Sequence, residues 1–127
     1  MKVKAKMRYL DVWVYGKLVI REYLKECVDD KVQGLRAVEP STICEETNIR
    51  NRNGVMFFVN DIVARGFKRG IIVVRNGKYY VKWSSKDLEL LTDNIELNVV
   101  GNKVEKGGIY EHFRDSRTIK RNSRKKV

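Results

Sequence analysis

The chain is 127 residues long, enough for one domain that buries roughly two thirds of the surface its unfolded form exposes. Its 27 Lys and Arg against 16 Asp and Glu give a net charge of +11, which favours an anionic partner through long-range attraction but does not name it. No apolar run approaches the roughly 18 residues that cross a bilayer, and the amino terminus lacks the apolar block of a signal peptide. A soluble intracellular protein with no membrane partner is therefore expected.

Periodicity predicts a mainly β chain with little helix. Tyr9 to Tyr15 and Lys17 to Tyr23 alternate around Gly16 and read as an amino-terminal ribbon turning at that glycine. Asp29 to Val38 mixes charge with Val32, Leu35 and Val38 at near-helical spacing, but Gly34 interrupts it; an irregular segment or one helical turn is expected. Five strands follow: Val55 to Val59, Ile62 to Arg65, Gly70 to Arg75, Lys78 to Trp83 and Ile95 to Val100. Asn76-Gly77 between two of them is the strongest hairpin signal of the chain. Ser85 to Thr92 is expected to form a helical turn capped by Ser85, with Leu88 and Leu91 facing the core. Short strands joined by tight turns predict a small antiparallel β-barrel of SH3-like or OB-like size. The expected organisation is an amino-terminal ribbon over 1–40 packed on a barrel over 41–113, then a basic tail over 114–127.

Thr47 to Val63 carries the most information. Asn53-Gly54 is a turn dipeptide, Val55 to Val59 is strand-like, and Asp61-Ile62-Val63 resumes an extended run after a break at Asn60. Thr47, Ile49, Asn53, Gly54, Phe57, Phe58, Asp61, Ile62 and Val63 resemble the recurring pattern of the YopX family of small phage and prophage proteins. Leu97 to Asn102 resembles the Glu-Val-Ile-Gly-Asn that closes the conserved half of that family, so the likeness spans residues 41–102. Asn48 and Asn60 stand where the family usually has Gly, and Asn tolerates left-handed backbone better than other residues with a Cβ. Val59 replaces an acidic residue, which removes any role resting on a carboxylate there. The match is loose from Met7 to Trp13. The family has no established biochemical activity. The resemblance implies a phage or prophage origin, a bacterial cytoplasm as location, and a β fold, but no reaction.

Two basic groups stand out. Arg114 to Val127 holds Arg114, Arg117, Lys120, Arg121, Arg124, Lys125 and Lys126 against Asp115, a net of +6, with too few aliphatic residues to fold unaided. It reads as a polycationic arm for phosphates or as a solubilising tail. Arg65, Lys68 and Arg69 follow the Asp-Ile-Val strand. On the next hairpin strand, alternation places Tyr79, Val81 and Trp83 on one side and Lys78, Tyr80 and Lys82 on the other. If the first set is core, Tyr80 between two lysines either stacks on a base or covers a barrel seam.

Catalysis has little to stand on. The single histidine is His112, no Gly-rich phosphate loop occurs, and Cys27 and Cys44 are isolated and expected to be reduced. Asp61 is expected to accept backbone hydrogen bonds in its own turn rather than act as a base. A non-enzymatic protein with no cofactor and no metal is expected. Its first candidate function is low-specificity binding of DNA or RNA through Arg65, Lys68, Arg69, Tyr80, Lys82 and the tail. The alternative is a protein-interaction module, a homo-oligomer or one directed at a host or phage protein, using edge strands or Phe57-Phe58.

Overall fold

A computed structural model describes residues 1–19, 27–30 and 34–104, with side chains placed outside 27–30. It is built of antiparallel strands: β1 (Lys2–Lys6), β2 (Trp13–Val19), β3 (Cys27–Asp30), β4 (Gly34–Ala37), β5 (Cys44–Arg50), β6 (Met56–Phe58), β7 (Asp61–Arg65), β8 (Lys68–Arg75), β9 (Lys78–Ser84), β10 (Asp87–Leu90) and β11 (Asn98–Asn102). Among the described residues one 3-10 turn, Pro40–Thr42, precedes β5. No described helix is long and apolar enough to cross a membrane.

The strands form two sheets, of order β4-β3-β2-β1-β5-β6 and β10-β9-β8-β7-β11. Both are open in strand order among the described residues, with β10 and β11 as the edges of the second. The predicted hairpin at Asn76-Gly77 is present, with Arg75 opposite Lys78 and φ of +53° and +78° at its two central residues, as a type I′ turn requires. Asn48 and Asn60 also take left-handed φ, +62° and +79°. Asn48 puts a register shift into β5, and the Thr47 hydroxyl fills the gap by donating to the Phe57 carbonyl at 2.8 Å.

Several expectations are corrected. Gly16 lies inside β2, opposite Val3, and the chain instead turns between β1 and β2 around Tyr9, whose φ is +71°. Lys2–Lys6, where no strand was expected, forms β1, and its Val3 and Ala5 enter a small core with Val14 and Val38. Of the segment 29–38, Asp29 and Asp30 end β3 and Gly34–Ala37 forms β4, which pairs with it, so these described residues are extended rather than helical, while 31–33 lie outside the described residues. Asp87–Leu90 pairs with β9, so the helical turn over 85–92 is absent: Leu91 is buried but Leu88 faces outward. Phe57 and Phe58 are both buried and present no surface to a partner. Phe57 belongs to the main core with Val63, Ile72, Val81, Leu91 and Leu97.

The sheets are joined by hydrogen bonds around β5 and β6. Asn51 is the principal junction: its side-chain amide donates to the Leu97 carbonyl at 2.9 Å, and its Oδ1 accepts from the Asn53 and Val55 backbone at 2.9 Å each. One buried side chain thus closes a turn and holds the second sheet beside it.

Candidate nucleic-acid interface

Strand pairing settles which residues share a face of the second sheet, because directly opposed residues point the same way. Val63, Ile72, Val81 and Val99 face the core. The opposite face carries Ile62 and Ala64 on β7, Arg69, Ile71, Val73 and Arg75 on β8, Lys78, Tyr80 and Lys82 on β9, and Leu88 and Leu90 on β10. Across it run the rows Val73–Tyr80–Leu90 and Ile62–Ile71–Lys82–Leu88. Four cations and one aromatic ring therefore stand on an aliphatic floor. None of these strand positions is acidic, and the four cations form no ion pair among the described residues.

The predicted basic cluster is split between the two faces. Arg69, Tyr80 and Lys82 come together on the outer face. Arg65 and Lys68 lie on the other side, beside Trp83. Gly70 makes that placement possible: a Cβ there would meet Val81 Cγ1 at 2.7 Å and Trp83 Cε3 at 2.9 Å, so the indole lies directly over bare backbone. Lys68 Nζ stands 4.7 Å and the Arg65 guanidinium 5.4 Å from the Trp83 ring centroid. Arg65 donates two parallel bonds to Glu89 at 2.8 and 2.9 Å, Trp83 Nε1 donates to the same carboxylate at 3.0 Å, and Lys68 lies 3.8 Å from Asp87. The guanidinium holds the Glu89 carboxyl below its ordinary range, and Glu89 in return raises Arg65. These two cations are already partnered.

Alternation placed Lys78 beside Tyr80 without naming it a binding residue; Arg75 was missed, and it joins this face through its pairing with Lys78 across the hairpin. The tail residues Arg117, Lys120, Arg121, Arg124, Lys125 and Lys126 lie outside the described residues, as does His112.

A second polar group lies between the sheets. Asp61 is 1 % exposed; it accepts from the Phe58 backbone at 2.8 Å, as its expected turn role requires, and also from Asn102 and Lys4 at 2.9 Å each. Lys4 Nζ stands 4.6 Å from the Trp13 ring centroid and 4.9 Å from that of Phe58. Cys44 is buried beside Asn102 and Asn60, and burial pushes its thiol up, away from the reactive thiolate. Tyr79 donates its hydroxyl to Glu45, which pushes the phenol up to about 12. Both carboxylate oxygens of Asp61 are engaged, so this cluster reads as a tie between sheets.

No family model matches this chain, and no curated protein matches it.

Proposed function

We propose that this protein is a non-enzymatic, low-specificity nucleic-acid-binding protein, an accessory protein of the phage or prophage kind that its YopX-like pattern implies, working in the bacterial cytoplasm. The supporting observation is the outer face of the second sheet: Arg69, Arg75, Lys78 and Lys82 share that face with Tyr80, with no carboxylate at its strand positions. Cations in that setting neutralise phosphates and release counterions without reading sequence. The aliphatic floor of Ile71, Val73, Leu88 and Leu90 offers no hydrogen bond to a duplex edge; it complements the faces of unpaired bases, with Tyr80 as the stacking ring. The basic residues Arg117 to Lys126 act as an electrostatic arm that adds phosphate contacts.

Binding of labelled single-stranded DNA, duplex DNA and RNA across a salt series tests this reading. The expected result is tighter binding of single strands, a log K that falls linearly with log salt, and a Tyr80→Ala variant that loses more affinity for single strands than for duplex. Failure to bind any oligomer at low salt overturns it.

A second reading has its own observation. β10 is a short edge strand whose Leu88 and Leu90 are 42 % and 51 % exposed, a surface suited to pairing with a protein or a second copy of the chain. Concentration-dependent self-association lost in a Leu88→Lys, Leu90→Lys variant, with no oligomer binding, favours that reading.

A further inference from the structure

Arg65 pairs with Lys68, so only Gly66 and Phe67 form the turn between β7 and β8. Gly66 takes a φ of +62° while Phe67 stays out of the left-handed region, the geometry of a type II′ turn, which requires Gly at its first central position and nothing particular at its second. Phe67 is therefore not needed by the turn. It touches nothing in the fold either, being 106 % exposed. Single exposed apolar residues are ordinary on protein surfaces. This one differs in standing at the tip of a tight turn, next to Lys68 and Arg69.

We infer that Phe67 is a second stacking post for the nucleic-acid strand carried by the outer face, at the opposite end of the sheet from Tyr80. The inference rests on the nucleic-acid reading of that face. Tyr80 stands opposite Val73, and about six residues of β8 and its turn separate Val73 from Phe67, roughly 20 Å at the rise of a strand. Lys82 and Arg69 lie on the outer face between Tyr80 and the turn that carries Phe67. A base-stacked strand advances about 3.4 Å per nucleotide, so about six nucleotides bridge Tyr80 to Phe67. A flexible apolar residue in place of Phe67 would fill the turn equally well but give a base no flat surface.

The test measures the affinity of oligothymidylates of about three and about twelve nucleotides for the parent chain, Phe67→Ala and Phe67→Trp, with thermal melts to establish that each variant is folded. Phe67→Ala is expected to weaken the longer oligomer roughly 5- to 150-fold, the range of one lost base stack, and to leave the shorter one unchanged. The salt slope should not move, since no charge is removed. Phe67→Trp should restore affinity, with its fluorescence quenched on binding. Unchanged affinity for the longer oligomer in a folded Phe67→Ala variant overturns the inference while leaving the nucleic-acid reading intact. Equal weakening of both lengths also overturns it, because the two-post geometry requires length dependence. A parent chain that binds no oligomer overturns both readings. Binding to anionic lipid vesicles that depends on Phe67, with no effect on oligomers, assigns the turn to a membrane surface instead and overturns it too.

Discussion

Lysine and arginine do opposite things in two regions of this molecule. Between the sheets, Lys4 is buried against the Asp61 carboxylate with the Trp13 and Phe58 rings beside its ammonium. On the outer face of the second sheet, Arg69, Arg75, Lys78 and Lys82 have aliphatic and aromatic neighbours and no carboxylate. Arg65 and Lys68 occupy a middle position, exposed but partnered by β10. A net charge of +11 therefore overstates what is free to meet a ligand. The location of the carboxylates decides which cations hold the fold and which are left for phosphate.

The contrast breaks first at Asp61. Asp61→Asn leaves the Lys4 ammonium buried without its counter-ion, and a loss of about 3 to 5 kcal/mol is expected in denaturant unfolding. Adding Lys4→Met removes the stranded charge and should recover part of that loss. An Asp61→Asn variant as stable as the parent would mean that Lys4 reaches water.

Next is the hairpin that assigns residues to the faces. Gly77→Val forces a β-branched residue to a φ of +78° and should cost about 1 to 3 kcal/mol by the same measurement. No loss would remove the turn that sets Lys78, Tyr80 and Lys82 on one side.

The partnered surface cations come third. Arg65→Gln should cost no more than about 1 kcal/mol, because the pair with Glu89 is solvent-exposed. Glu89 is held below its ordinary value, so its contribution is present above the unfolded carboxylate pKa and is lost as pH falls through the folded one. Arg65→Gln should flatten that acid-side loss in melts across pH. It should also leave the salt slope of nucleic-acid binding nearly unchanged.

The smallest effect on stability, and the sharpest on the contrast, is expected from Lys82→Gln. Its melting temperature should match the parent, whereas the salt slope should fall in magnitude by about 0.7 to 0.9. If Arg65→Gln and Lys82→Gln change the slope equally, the distinction between partnered and free cations is wrong.

Short-range chemistry determined much of this fold. A two-residue Asn-Gly turn between alternating runs specifies a hairpin by itself, and the alternation of Lys78 to Trp83 was enough to place Tyr80 with its lysines. Asp61 was legible as the carboxylate of its own turn, because that depends on residues a few places away, whereas the left-handed φ at Asn48 and Asn60 was expected only from the resemblance, which has Gly there. Lys2–Lys6 was not legible, since its lysines hide a strand whose Val3 and Ala5 are core. Cys44–Arg50 was equally hidden, because Asn48 breaks its alternation. Only the tertiary structure joined Lys4 to Asp61 across 57 residues, and only the pairing of β10 with β9 brought Glu89 to Arg65. The physical reason is one of range. Backbone preference and side-chain period act over neighbouring residues, whereas the partner of a charge is chosen by whichever strand packs beside it.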